Sequence, residues 1–331
     1  MSRQDEIIKD RMKKIEQLRK IGINPYPHKF NRTHTSAEIK KEFSEIKTDS
    51  TTKNKASIAG RLMIIRDIGK IIFAKLRDGS GDIQIVLQEG KTSGKEFDFF
   101  RKYIDSGDFI GVSGDIGKTK TGELSVIADK LTMLSKSILP LPEKWHGLTD
   151  KEERYRKRYI DLAMNPDVRR VFEARSQIIN SIRKFLDKKG FIETDTPILQ
   201  PLYGGGAARP FVSELNSLKM QVYMAISKEL YLKRLIVGGM EKVYEMNRIF
   251  RNEGIDATHN PEFTMLETMW AYVDYNSNMD LFEEMIEQVA NEVLGKTKIT
   301  YQNKEIELKR PWPRLTMFEA IKKYAKIDIK K

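Results

Sequence analysis

Phe250-Arg251-Asn252-Glu253-Gly254, followed after a short gap by His259-Asn260-Pro261-Glu262-Phe263-Thr264-Met265-Leu266-Glu267, is the stretch that decides the fold. Its flanks predict two strands, 241–253 and 262–274, joined by a loop that holds Gly254, Asp256 and Pro261, which makes a long antiparallel hairpin. Plain core strands would carry Val and Ile where this hairpin carries polar and aromatic groups. Side chains alternate with a period of two, so Arg251 and Glu253 are expected on one face of the first strand, and Phe263, Met265 and Glu267 on one face of the second. If the two faces coincide, an arginine, two carboxylates and a phenyl ring stand together. Arginine offers a planar cationic fork suited to phosphate, a phenyl ring can stack on a base, and a carboxylate can receive an amine. The parts suit a nucleotide and an amino compound on an open sheet; the same spacing also fits a solvent-facing strand pair with cross-strand ion pairs. No Gly-x-x-x-x-Gly-Lys-Ser/Thr loop or Gly-x-Gly-x-x-Gly turn occurs, so a P-loop or Rossmann site has no support.

Upstream of the hairpin, Val168, Phe172, Ile179, Ile182 and Leu186 form the apolar stripe of a long helix ending at Gly190, with Lys188 and Lys189 complementing its dipole. A strand is expected through Phe191–Thr196, closed by Pro197. Downstream, helices are expected over 277–294 and from Thr316, the latter opened by a Thr316-x-x-Glu319 capping box.

Further toward the N-terminus, β-rich runs at 57–66, 70–76, 82–88, 108–116 and 123–133 are parted by turns such as Asp78-Gly79-Ser80-Gly81. Between the third and fourth, Phe97, Phe100 and Tyr103 stand three apart as on one helix face. Five strands with a helix in that place is the layout of an OB-fold, a small barrel whose open face commonly binds single-stranded nucleic acid. A helix opened by Ser2 and Asp5 precedes it, carrying Ile7, Ile8, Met12, Ile15 and Leu18 inward and Lys9, Lys13, Lys14, Arg19 and Lys20 outward. The expected organisation is an N-terminal helix and connection over 1–56, the barrel over 57–136, a hinge over 137–165 with the boundary near 145, and a second domain over 166–331.

At 331 residues the chain exceeds one ordinary core, in keeping with two domains. It has no cysteine, which excludes disulfides, thiolate nucleophiles and Cys-ligated zinc, and only four histidines, so no protein-bound metal is expected. Lys and Arg outnumber Asp and Glu by 59 to 47, a net charge of +12 that favours a polyanionic partner. No run approaches a membrane span and no signal peptide pattern opens the chain, so a cytoplasmic location and no membrane partner are expected.

These residues carry a resemblance. Lys189-Gly190-Phe191-Ile192-Glu193-Thr194-Asp195-Thr196-Pro197 resembles motif 1 of the class II aminoacyl-tRNA synthetases, and the hairpin resembles motif 2. An N-terminal OB domain marks the lysyl, aspartyl and asparaginyl subclass. Within it, Gly204-Gly205-Gly206-Ala207-Ala208-Arg209-Pro210-Phe211, Glu229-Leu230-Tyr231-Leu232-Lys233-Arg234 and Arg154-Tyr155-Arg156-Lys157-Arg158-Tyr159 resemble the bacterial lysyl-tRNA synthetases. The implied fold class is α+β: an OB-fold barrel, then a class II antiparallel sheet with flanking helices, incomplete at its end. The implied activity is ATP-dependent attachment of lysine to tRNA(Lys) through lysyl-adenylate, with ATP and Mg²⁺ and a homodimer.

Residue by residue, the resemblance implies that Arg251 holds the ATP α-phosphate and steadies the transition state, with Glu253, His259 and Phe263 around the nucleotide. Glu229 and Glu267 match carboxylates that receive the lysine amines, and Gly205 a backbone position that lysine approaches closely. Two such carboxylates would repel aspartate, which disfavours the aspartyl and asparaginyl alternatives. Phe73, Gln84 and Glu123 match anticodon-reading positions, and Pro197 the dimer interface. For Phe73 a place in the barrel core, and for Glu123 a plain surface charge, remain the alternatives.

Departures from the family pattern are Ser213-Glu214 for a usual Thr-His pair, Met269 for a Tyr, and Ala225-Ile226-Ser227-Lys228-Glu229 for Arg-Ile-Ala-Pro-Glu. Motif 3, a Gly-x-Gly-x-Gly-x-Glu-Arg segment, and the acidic Mg²⁺ ligands before it are not found, and no glycine follows Gly295. The expectation is a chain truncated before motif 3, one that binds tRNA and dimerises better than it activates lysine. The alternative function is a non-catalytic tRNA-binding or interaction protein on the same scaffold.

Overall fold

A computed structural model describes residues 2–142, 148 and 150–329. The chain forms two compact units, Met1–Met164 and Asn165–Lys331. The boundary expected near 145 lies outside the described residues. Helices α1 (Arg3–Lys20), α2 (Ser36–Glu42) and α3 (Gly94–Tyr103) come first in the chain; of the expected hinge, 151–164 forms two more short helices, α4 (Lys151–Arg156) and α5 (Arg158–Met164), that belong with the first unit.

In the first unit, β1 (Ser50–Asp67), β2 (Ile71–Arg77), β3 (Asp82–Gln88), β4 (Phe109–Lys118) and β5 (Leu124–Ser135) close a barrel in the order β1-β2-β3-β5-β4, β4 pairing back onto β1 and β3 running parallel to β5. The alternating runs specify this directly: in β2, Ile72, Ala74 and Leu76 point inward while Ile71, Phe73 and Lys75 point out. β1 begins at Ser50, seven residues before the apolar pattern does, because Ser50 and Thr51 pair with Lys118 and Gly117 across a register shift. Helix α3 buries Phe97, Phe100 and Tyr103 against the barrel, each worth about 1.5–3 kcal/mol of apolar transfer.

The capping box of Ser2 and Asp5 opens α1, which buries Ile15 and Leu18. Two basic residues depart from the amphipathic reading. Arg11 is buried and donates to the carbonyls of Ser106, Ser137 and Leu139 at 2.9–3.2 Å. Lys14, expected on the outer face, instead pairs with Asp10 and Asp105. Hydrophobic periodicity has no signal for a cation that satisfies carbonyls at a barrel end.

In the second unit, α6 (Pro166–Lys188) and a later helix, α8 (Tyr275–Leu294), cover a sheet of β6 (Ile192–Glu193), β10 (Lys242–Phe250) and β11 (Glu262–Trp270). Their core joins Phe185, Leu186, Phe191, Tyr244, Leu281 and Met285. The expected strand 191–196 shrinks to two residues, parallel to β10; its last bond to that strand is from the Thr194 N–H to the Tyr244 carbonyl, and Thr196 bonds the Glu245 carboxylate instead. The expected first hairpin strand, drawn to 253, ends at Phe250.

Several elements carry no periodic signal in the sequence. β7 (Leu199–Gln200), β8 (Val212–Leu215) and β9 (Met220–Met224) form a second sheet in the order β7-β9-β8. Helix α7 (Glu229–Val237) follows, and after α8 come a hairpin of β12 (Lys298–Tyr301) and β13 (Lys304–Glu307). The capped turn at Thr316 opens α9 (Met317–Ala320), which runs into a π-helical turn. β8 is exposed along its whole length, so no inward-outward alternation marks it.

Candidate functional site

In the β10–β11 hairpin, Glu245 lies opposite Glu267, Asn247 opposite Met265 and Ile249 opposite Phe263, so the odd-numbered residues of both strands share one face. Tyr244, Leu266 and Trp270 pack on the other face, in the helix core. The register of the pair, which the period of two leaves open, makes the two faces coincide.

Arg251 stands just past β10, but its N–H still donates to the Pro261 carbonyl at 2.8 Å, which carries the pairing one step further. Its Cζ lies 5.3 Å from the Phe263 ring centroid, and its Nε donates to the Ile226 carbonyl at 3.3 Å. Glu253 is in the loop, not on the strand, since Gly254 and the turn at Asp256 end the extended run; the Asn252 N–H is held by the Arg209 carbonyl at 2.7 Å. Arg251, Glu253, His259 and Phe263 line one hollow of about 570 Å³, with Gly254, Asp256 and Asn260. Asp256 shapes its rim by accepting from the Thr258 and His259 backbone and from His259 Nδ1 at 2.8 Å. The Thr258 N–H and the His259 ring hold the Asp256 carboxyl well below the usual carboxylate range.

Gly205, Glu229 and Glu267 come together on a residue not singled out from sequence, Ser227. The Ser227 hydroxyl donates to Glu267 Oε1 at 2.7 Å and accepts from the Glu229 N–H at 3.1 Å. Gly205 takes a φ of +86°, and a Cβ there would meet Ser227 Oγ at 2.6 Å. Only glycine fits that conformation and that approach. The Glu229 side chain pairs with Lys233 one turn along α7. Met269, the departure from the family pattern, stands on the same strand face as Glu267, and Glu214 is exposed on β8.

Segment 225–229 thus links the two groups of side chains. The Phe250 N–H bonds the Ala225 carbonyl at 2.9 Å, Arg251 bonds that of Ile226, and Ser227 bonds Glu267. A cationic fork beside an aromatic ring lies next to two carboxylates, an arrangement able to hold a phosphate and an amine within one site. Among the described residues, no group of three or more His, Asp or Glu could hold a metal ion.

Phe73 and Gln84 lie in the first unit on the outward side of β2 and β3, and Glu123 lies in the turn just before β5. Phe73 is half-buried and pairs across strands with Val86; it is not in the core. With Val86, Gln88, Ser125 and Ile127 it lines a hollow of about 250 Å³, whose edge carries Lys91, Lys118 and Lys120. Gln84 Nε2 donates to Glu123 at 3.0 Å, and Ser125 donates to Gln84 at 2.8 Å. Pro197 is exposed, as are the neighbouring strand residues Ile192 and Leu199.

The first unit is thus a barrel with an open, lysine-rimmed face, and the second presents an arginine, an aromatic ring and carboxylates around one hairpin. Residues 150–331 match the family of tRNA synthetases class II (D, K and N), and residues 56–134 match the OB-fold nucleic acid binding domain. The chain belongs to the class II tRNA synthetases of that group. It is similar to the lysine–tRNA ligase of Carboxydothermus hydrogenoformans, 52% identical over 98% of this chain and 65% of the relative. The lysine–tRNA ligases of Pelotomaculum thermopropionicum and Moorella thermoacetica are 51% and 49% identical, again over 98% of this chain and over 63% and 65% of the relatives. The chain thus spans just under two thirds of the length of these relatives.

Proposed function

We propose that this protein acts in the ATP-dependent attachment of lysine to tRNA(Lys). The observation that carries this reading is the meeting of Gly205, Glu229 and Glu267 on Ser227, one residue from the carbonyl that holds Arg251. An amino acid seated with its amines toward Glu229 and Glu267 has its carboxylate directed to a phosphate on Arg251.

In the first step a lysine carboxylate oxygen attacks the ATP α-phosphorus, the bond to the β-phosphate oxygen breaks, and pyrophosphate leaves with the electron pair. Arg251 neutralises charge that builds on the α-phosphate, while Phe263 stacks on adenine and Glu253 and His259 border the nucleotide. Magnesium, for which the described residues offer no group of three or more His, Asp or Glu, would arrive with the nucleotide and neutralise phosphate charge. In the second step the terminal ribose hydroxyl of tRNA attacks the lysyl carbonyl carbon and gives up its proton, the bond from that carbon to the phosphate oxygen breaks, and AMP leaves. Phe73 stacks an anticodon base and Gln84 and Glu123 bond base edges. The protein works as a homodimer in the cytoplasm, with Pro197 and the exposed Ile192 and Leu199 at the interface.

The test is exchange of pyrophosphate into ATP by the purified chain with lysine, aspartate or asparagine. Exchange with lysine alone supports the proposal. Exchange with aspartate or asparagine, or none from a folded chain, counts against it.

A further inference from the structure

Directly beneath the carboxylates of the site lies a buried ion pair. Lys228 Nζ lies 2.6 Å from Glu245 Oε1, with 1% and 2% of the two side chains exposed. The ammonium also donates to the Thr196 carbonyl at 3.1 Å, and Glu245 Oε2 accepts from the Thr196 hydroxyl at 2.6 Å and its N–H at 3.2 Å. Both members are thus hydrogen-bonded, as burial of charge requires.

Glu245 is the cross-strand neighbour of Glu267 on the same face of the hairpin. Two carboxylates in that relation repel each other. Lys228 resolves the conflict unevenly: its side chain goes to Glu245, while only its backbone N–H reaches Glu267, at 3.2 Å. Among the described residues, no Lys, Arg or His pairs with Glu267. The charge of Glu245 is cancelled internally and that of Glu267 is left to face the site.

We propose that Lys228 and Glu245 are positioning residues for a cationic amino acid: their pair anchors segment 225–229, sets Ser227 against Glu267, and reserves the Glu267 charge for an amine of the substrate. The assignment rests on the lysine reading above and extends it to two residues that touch no substrate. Any other cation placed on Glu267 would compete with the substrate's own.

Three forms of the full chain test this: unaltered, Lys228→Met, and Lys228→Met with Glu245→Gln. Each is read by thermal melting, by titration with lysine and with ATP, and by hydrogen exchange at the Lys228 and Glu229 amides. The single variant leaves Glu245 buried without its counter-charge and is expected to melt earlier. The double variant removes that burden and is expected to recover its melting temperature. Its lysine affinity should still be at least 10-fold weaker, its ATP affinity within 2-fold of the unaltered chain, and its two amides faster to exchange. Recovery of lysine affinity together with stability would overturn the positioning role and leave the pair a plain fold element. Failure of the unaltered chain to bind lysine would instead overturn the lysine reading; unchanged amide exchange in the double variant would then overturn the anchoring on its own.

Discussion

Replacing Gly205 by alanine should impair lysine binding through two side chains that the substitution does not alter. At a φ of +86° an alanine costs about 1–2 kcal/mol of backbone strain. Its Cβ would lie 2.6 Å from Ser227 Oγ and 2.9 Å from Glu229 Cβ, closer than atoms pack, so Ser227 has to move. Ser227 is the donor to Glu267 at 2.7 Å, and a hydrogen bond to a charged group is worth about 1.5–3 kcal/mol. Lost orientation of Glu267 on that scale weakens lysine binding by roughly 10- to 150-fold. The neighbouring Gly206 supplies the control, since a Cβ there meets no atom within 4 Å. Calorimetric titration of both variants with lysine, with melting curves alongside, reads the difference. Unchanged lysine affinity in a folded Gly205→Ala chain, or equal damage from Gly206→Ala, would refute the reasoning.

Other expectations follow from the same contacts. Arg251→Ala should lower lysine-dependent pyrophosphate exchange by about 10²- to 10³-fold while tRNA binding, measured by filter retention, stays within 2-fold; parallel loss of both would contradict its place at the phosphate. Phe73→Ala should weaken tRNA binding by about 1–3 kcal/mol with little change in barrel stability, because the ring lies on the outer face. Asp78 accepts from the Ser36 N–H and hydroxyl, both at 2.7 Å, and from Ser80, so Asp78→Ala should cost the first unit about 2–3 kcal/mol in urea unfolding. Burial alone would raise the Asp78 pKa, but the bonds from Ser36 and Ser80 outweigh it and hold it below the ordinary 3.8. The unfolded chain therefore binds that proton first as pH falls. The Asp78 contribution should be complete above about pH 5 and decline through 3.8 and below, and an Asp78→Asn chain should show a shallower acid limb.

The parts legible in sequence are those where one periodicity governs. Alternation in β2 and β3 and the three aromatic residues of α3 defined the barrel, and the period of two placed Glu267 and Phe263 on one face. Ser227 was not legible, because its role depends on meeting Gly205 and Glu267 from 22 and 40 residues away, beyond the reach of any local pattern. Nothing in the local sequence marks Lys228 or Arg11 as buried, and only the fold reveals the Glu245 carboxylate and the three carbonyls that receive them. Alternation in the sequence continues past Phe250 and extends the expected strand to Glu253, while the turn at Asp256 ends it in space.

The central claim is that the site formed by Glu229, Glu267 and Arg251 selects lysine. Its most direct test is calorimetric titration of the 331-residue chain with lysine, aspartate and asparagine, repeated on Glu267→Gln. The account predicts saturable binding of lysine alone, weakened at least 10-fold by the substitution, a loss of about 1.4 kcal/mol or more. Binding of aspartate or asparagine, or lysine binding indifferent to Glu267→Gln, would contradict it.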